Sequence, residues 1–348
     1  MQTRIEVGIL GATGMVGQHF IKFLQGHPWF DLKWLGASDR SAGKKYREAM
    51  TWHLGVVPDS VAGLRVEDCK PGNAPRLLFS AMDASVATEI ERAFAAAGHI
   101  VVSNSKNHRM EQDVPLLVPE INADHLKLIP GQQRARGWTG QIVTNPNCST
   151  VGLTMGLGPL KPFGIARVIV TTMQAISGAG YPGVASMDIV GNVVPFIGGE
   201  EEKMEQEGQK ILGDFAGDHI RHLDAKVSAH CNRVPVVDGH LVTISVKLAS
   251  KPSETDILCA FEEFSGVPQQ KRLPSAPARP VTYMTQHDRP QPRQDAERER
   301  GMAAFVGRLR ACPVLDYKFV TLTHNTIRGA AGAAVLNAEL MHAEGMLD

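Results

Sequence analysis

The run Ile5-Glu-Val-Gly-Ile-Leu10 is short and almost wholly apolar, and the first third of the chain repeats that kind of run. Leu32–Ala37, Arg76–Ala81 and His99–Ser103 are the others. Between them, Gln18–Gln25 and Ser85–Ala97, the latter closed by Gly98, read as helices. Apolar strands alternating with helices predict a parallel, doubly wound sheet. After Thr144 the pattern changes. Ser149–Leu160 reads as a helix, Arg167–Met173 as a strand and Asn232–Lys247 as two strands. Asp238-Gly239 is a hairpin turn signal between those two, so an antiparallel or mixed sheet is expected in a second domain. Pro274–Arg293 is the most loop-like stretch. Gly329–Leu347 is Ala-rich, reads as a helix and is expected to pack back on the first domain.

Composition narrows the class. A chain of 348 residues suits two domains or one large one. Lys and Arg number 36, and so do Asp and Glu, so no charged surface for nucleic acid or membrane is expected. No uncharged apolar run reaches the ~20 residues of a membrane span. Cys69, Cys148, Cys231, Cys259 and Cys312 are far apart and form no C-x-x-C pair. That argues against a disulfide framework or a zinc site. Free thiols fit a reducing cytosol, and no secretory leader pattern precedes the first strand.

Candidate chemistry starts at Gly11-Ala-Thr-Gly-Met-Val-Gly17, between the first strand and the first helix. Gly11 permits the tight turn, Gly14 lets backbone approach a pyrophosphate, and Gly17 lets helix and strand pack closely. The phosphates would sit on the N–H groups that open the helix. The second strand ends in Ser38-Asp39-Arg40-Ser41, followed by Lys44-Lys45. An acid there holds a ribose 2′-OH, and an arginine accommodates a 2′-phosphate. Asp39 alone favours NAD; the other groups favour NADP. Ser80 lies at the carboxyl end of its strand, the edge where such sheets bind ligands.

Cys148 follows Asn145-Pro146-Asn147 at the start of a helical segment. Unpaired N–H groups and the macrodipole favour thiolate there, and thiolate is the nucleophile. The plainer reading is an inert, buried small hydrophobe. His240 would serve as acid/base if it lay near the thiol. Arg233 could hold a carboxylate bidentately. Glu200 and Lys203, at i,i+3, share a helix face. Arg109 could bind an anion. Each of these also reads plainly as a surface residue.

Together the pieces resemble aspartate-β-semialdehyde dehydrogenases, in particular the archaeal and fungal branch, over nearly the whole chain. The segments that carry the resemblance begin with Gly11–Gly17, Ala37–Tyr46 and Asn145–Thr150. Gln174–Gly180, Gly199–Lys203, Arg233–His240 and His324–Gly332 complete them in the same order. The resemblance implies a Rossmann-type doubly wound parallel sheet plus an α+β domain with a mixed sheet. Residues 1–147, completed by a C-terminal helix at 329–348, would bind NADP, and 148–328 would catalyse and dimerise. It implies Cys148 as nucleophile, His240 as acid/base and Gln174 as orienting the acyl group. Arg233 would bind the substrate carboxylate, and Glu200 its amine, with the adjoining Glu201 and Glu202 as alternatives. Arg109, Asn147 and Lys203 would hold phosphate. Gly11, Thr13, Gly14, Met15, Val16, Ser38, Arg40 and Ser41 would hold the cofactor's phosphates, and Ser80, Ser177, Gly178 and Asn325 would line the rest of NADP. It further implies no metal, a cytoplasmic homodimer or homotetramer, and a place in threonine, methionine and lysine biosynthesis, the last through diaminopimelate. The rivals are a CoA-acylating reductase of the malonyl-CoA reductase type, an N-acetylglutamyl-phosphate reductase, a catalytically silent NADP-binding regulator and a thiol hydrolase.

Overall fold

In the computed structural model, β1 (Ile5–Leu10) pairs in parallel with β2 (Phe30–Ala37) on one side. On its other side lies β4 (Leu77–Ser80). With β3 (Val66–Asp68), β5 (Ile100–Ser103) and β6 (Gln141–Thr144) they form one six-stranded sheet, in the order β3-β2-β1-β4-β5-β6. The structure describes residues 4–347; the two outermost limits given above for the first domain, residues 1 and 348, lie outside the described residues.

β4, β5 and β6 are buried along their whole length, which requires cover on both faces. On one face the first helix (Met15–Leu24) and the C-terminal helix (Gly332–Ala343) bring Phe20, Leu336 and Leu340 onto Val7, Ile9 and Phe79. On the other, the helix Ala84–Ala96 brings Phe94 and Ala95 onto Leu78, Val101 and Ile142. Strand order reverses between β1 and β4, and such a switch point opens a crevice at the carboxyl ends of the strands.

The second sheet begins with β7 (Ile165–Gln174). After a small ribbon of β8 (Asp214–Phe215) and β9 (Ile220–Arg221) come β10 (Lys226–Arg233) and β11 (His240–Leu248). β12 (Val281–Met284), β13 (Ala304–Ala311) and β14 (Tyr317–Thr323) complete it in the order β10-β7-β11-β14-β13-β12. The sheet is mixed, as expected. β12 arises inside the proline-rich stretch that reads as loop. The nucleophile helix (Cys148–Leu157) and the acidic helix (Glu200–Ile211) cover one face, with Val151, Leu153, Met204 and Ile211 on Val170 and Ile244. The opposite face is open: Ile169 is 45% exposed, and Lys226, Ser228 and His230 are exposed beside it. No helix among the described residues is long and apolar enough to cross a membrane.

One sequence expectation is corrected. Asp238-Gly239 does not close a hairpin between β10 and β11, because β7 lies between them. β10 runs parallel to β7, with Arg233 opposite Gln174. β11 runs antiparallel to β7, with Leu241 opposite Met173. The connection therefore steps across the end of β7, about two strand spacings or roughly 10 Å. Gly239, at φ +95°, supplies only the turn into β11. The consequence is functional: the end of β7, the end of β10 and the start of β11 meet at one edge, and Gln174, Arg233 and His240 arrive there together.

Candidate active site

Asn147 starts the nucleophile helix. Its side-chain oxygen caps the N–H groups of Ser149 at 2.9 Å and Thr150 at 3.4 Å. This is an ordinary Asn N-cap, and it leaves Cys148 as the first helical residue. The Cys148 Sγ lies 3.2 Å from His240 Nε2. His240 is fully buried, and its Nδ1 accepts the backbone N–H of Ala175 at 3.1 Å. A neutral imidazole that accepts at Nδ1 carries its hydrogen on Nε2. The hydrogen therefore faces the sulfur. The carbonyl of the same Ala175 accepts from Arg233 Nη1 at 2.7 Å. One residue of main chain thus fixes both the imidazole and the guanidinium, and nothing in its side chain marks it in the sequence.

The expectation of a thiolate at a helix start meets an opposing effect. Burial pushes the Cys148 thiol up to about 12, and nearby Glu200 adds to this, against the opposing pull of Arg109, Arg233 and the Ser149 N–H. Burial also lowers His240 to about 3, helped by Arg233 and His324. Desolvation disfavours both charged forms, and here it outweighs the helix terminus. Burial thus favours a thiol beside a neutral imidazole. Alkylation of Cys148 by iodoacetamide in the free protein, followed by peptide mapping, should therefore keep accelerating from pH 7 through pH 9. A plateau by neutral pH would show a thiolate and contradict this.

Behind the thiol lies a polar network. Glu200 is buried and accepts Asn147 Nδ2 at 2.8 and 2.9 Å, Lys203 Nζ at 2.7 Å and Gln174 Nε2 at 3.1 Å. Burial alone would raise its carboxyl, but these hydrogen bonds and the Lys203 charge hold it below the ordinary range. Among the three adjacent glutamates only Glu200 enters the network. Glu201 accepts the Cys231 N–H at 3.0 Å, and Glu202 is exposed. Gln174 also accepts from Thr172 Oγ1 at 3.0 Å, so in this state it is turned to Glu200 and Thr172. Arg109 lines the cavity that holds Cys148. Gly329 backs directly onto the nucleophile, and a Cβ there would come 2.7 Å from the Cys148 Cβ.

That cavity, of about 390 Å³, includes Cys148, Ser177, Gly178 and Asn325 in its lining. Met15, Val16, Gly180 and Tyr181 are shared with a second cavity of about 790 Å³ that reaches Gly11, Thr13, Gly14 and Ser38. Ala37, Ser38, Met82 and Val86 are shared with a third, of about 630 Å³, that reaches Asp39, Arg40 and Lys70. The result is one groove along the switch point, from the thiol to Arg40. Gly11, at φ +76°, forms its tightest turn: a Cβ would meet the Ala81 carbonyl oxygen at 2.6 Å. The first helix has no side-chain cap at Gly14, so its opening N–H groups are free to take a phosphate. This geometry fits an extended dinucleotide. Tyr181 stacks on His53 beside the groove, ring centroids 3.9 Å apart.

Two expected cofactor residues turn their hydroxyls to the protein. Ser80 is fully buried and donates to Glu91 at 2.6 Å, while its carbonyl takes the Asn104 N–H. Ser41 is buried, turns its hydroxyl toward the Ala49 carbonyl at 3.4 Å, and lines none of the three cavities. Inspection of the sequence missed Ala175, Glu207 and Lys210. Ala175 sits inside the glycine-rich loop already singled out, but the two glutamate- and lysine-bearing turns of the acidic helix read only as a solvated face.

Known proteins resemble the chain over nearly its whole length. The NAD-binding domain of semialdehyde dehydrogenases matches residues 6–129, and their dimerisation domain matches residues 157–328. Aspartate-semialdehyde dehydrogenase of Archaeoglobus fulgidus is 47% identical over 346 residues, covering 99% of this chain and 100% of that one. The enzyme of Methanothermobacter thermautotrophicus is 49% identical over 344 residues, covering 97% and 99%. The crystal structure of aspartate-semialdehyde dehydrogenase with NADP from Candida albicans superposes with a TM-score of 0.92 at 43% identity, covering 99% of this chain and 100% of that one.

Proposed function

The chain belongs to the aspartate-semialdehyde dehydrogenase family, and from that premise we propose that it is the NADP-dependent enzyme for reversible reductive dephosphorylation of L-4-aspartyl phosphate to L-aspartate 4-semialdehyde. The observation that carries this reading is the Cys148–His240 pair, 3.2 Å apart, at the end of a groove that runs to Arg40. A thiol hydrolase has no use for that groove.

In the biosynthetic direction the Cys148 sulfur attacks the acyl carbon of aspartyl phosphate. The carbon–oxygen bond to the phosphoryl group breaks, phosphate leaves with the electron pair, and a thioester on Cys148 remains. Arg109 and Lys203 offset the phosphate charge. Nε2 of His240 already holds a hydrogen, so the thiol proton leaves with the phosphate or to water in the cavity. Arg233 holds the substrate α-carboxylate and Glu200 its amine. Gln174 orients the acyl group once substrate displaces it from Glu200, and Asn147 holds the helix cap. When bound along Gly11, Thr13, Gly14, Met15, Val16, Ser38 and Arg40, with Ser177, Gly178 and Asn325 nearer the thiol, NADPH supplies a hydride to the thioester carbonyl carbon. The resulting oxyanion accepts from His240 Nε2–H and from the N–H of Cys148. Ser149 and Thr150 cannot serve there, since Asn147 occupies their N–H groups. Collapse breaks the carbon–sulfur bond, the electron pair returns to sulfur, the sulfur takes a proton from water to restore the thiol, and the aldehyde leaves. The product feeds lysine, threonine and methionine synthesis in the cytoplasm.

The protein acts as a homodimer or as a homotetramer built from two dimers. The match to a dimerisation domain supports this. So do the open face around Ile169 and the exposed Tyr181, Met187, Val190 and Phe196, since monomers rarely leave so many large apolar groups in water.

The direct test is NADPH formation from aspartate semialdehyde, NADP and phosphate. It should require phosphate, run faster with NADP than with NAD, and fail to run in reverse with malonyl-CoA. Phosphate-independent turnover, or activity with malonyl-CoA alone, would reject the reading in favour of a CoA-acylating reductase.

A further inference from the structure

Glu207 has no part in the chemistry above, yet it is a buried carboxylate, 2% exposed, between two segments that matter to it. Its Oε1 accepts from Arg109 Nη1 at 2.9 Å. Its Oε2 accepts the backbone N–H of Asn147 at 2.7 Å. Arg109 is held on its other side, where Nη2 donates to the Asn104 carbonyl at 2.8 Å. Its Nε is buried without a partner. Three residues further along the acidic helix, and so on the same face, Lys210 is buried as well. Its ammonium donates to the carbonyls of Arg109, Glu111 and Val114 at 2.7, 2.7 and 2.8 Å. The acidic helix therefore grips the Arg109 segment twice, by main chain through Lys210 and by side chain through Glu207. The second oxygen of the same carboxylate reaches the residue that caps the nucleophile helix.

A free arginine side chain has large rotamer entropy, which is lost when it is ordered. A ligand that must order it binds correspondingly weaker. Holding the guanidinium beforehand removes that cost. A carboxylate close to an anion site also repels the anion. Here Arg109 and Lys210 outnumber it, so the trio remains net positive.

We propose that Glu207 is a positioning residue, which fixes Arg109 for the phosphate of the substrate and ties that site to the cap of the Cys148 helix. This rests on the reading of Arg109 as a phosphate ligand. The test compares Glu207→Gln, Arg109→Ala and the double variant in the oxidative direction, with KM measured separately for phosphate and for semialdehyde, and NADP affinity measured by fluorescence. Glutamine keeps an oxygen for the Asn147 N–H and loses the charge on Arg109. Glu207→Gln should raise the phosphate KM about tenfold, with semialdehyde KM and NADP affinity within about twofold. In the Arg109→Ala background the same change should shift the phosphate KM by less than about twofold, because coupled residues are not additive. If the glutamine variant does not fold, Glu207→Asp, which keeps the charge and shortens the reach, should show the same non-additivity. Equal losses in both backgrounds, or an equal rise in all three constants, would make Glu207 merely structural and overturn the proposal. A raised phosphate KM in Arg109→Ala with none in Glu207→Gln would sink Glu207 alone. An unchanged phosphate KM in Arg109→Ala would sink the reading of Arg109, and Glu207 with it.

Discussion

Cys148→Ser should lower kcat by roughly 10⁴-fold or more, as removal of a catalytic nucleophile does, while NADPH binding, read by fluorescence, stays within about twofold. In the proposed mechanism the sulfur forms the acyl intermediate and then releases it, and a serine hydroxyl is a poorer nucleophile that needs an adjacent base. None is at hand. The neighbouring imidazole accepts from Ala175 at Nδ1 and faces residue 148 with its Nε2–H. Burial already resists ionisation of the thiol, holding it up to about 12, and would resist that of a hydroxyl more. Intact NADPH binding shows that the fold survives. A near-normal rate would remove Cys148 from the mechanism.

Arg233→Leu should lower kcat/KM for the semialdehyde by about 30- to 1,000-fold, the roughly 2–4 kcal/mol typical of truncating one side of a buried charge pair. Arg233 is buried, beside Gly178 and close to His240. A substrate carboxylate brought there without it would be desolvated and unpaired. Some loss in kcat is also expected, since Arg233 shares Ala175 with His240. Arg233→Lys should fall between, keeping the charge but not the bidentate fork. If kcat/KM for the semialdehyde is unaffected by the leucine variant, the carboxylate role is wrong.

What could be read from the sequence was local. The glycine turn is a strand, three glycines and a helix within a few residues, and its geometry follows from those residues alone. The Asn147 cap is an i→i+2 and i→i+3 contact, so the position of Cys148 on its helix was legible. Apolar runs alternating with helices gave the parallel sheet. Matches in seven segments then assigned a family that comparison of the full chain supports.

Where the structure corrects the local reading or chooses among its alternatives, a local signal met a distant partner. Asp238-Gly239 is a good turn, but whether it joins paired strands depends on β7, more than 60 residues earlier. Ser80 lies on a strand buried on both faces, so alternation could not tell which way its hydroxyl points. It points to Glu91. Three consecutive glutamates open the acidic helix, and only its packing selects Glu200 for the site, Glu201 for Cys231 and Glu202 for water.

The sequence by itself determined the elements, the phosphate-binding turn, the place of Cys148 at a helix start and, through the resemblance, the chemistry expected of it. Only the tertiary structure decided the burial of that cysteine beside its histidine, and only it brought Gln174, Arg233 and His240 to one edge. The physical reason is one of range. Turns and caps are set by neighbours along the chain, whereas desolvation, strand order and the partner of a buried charge are set by groups that meet only when both sheets are in place.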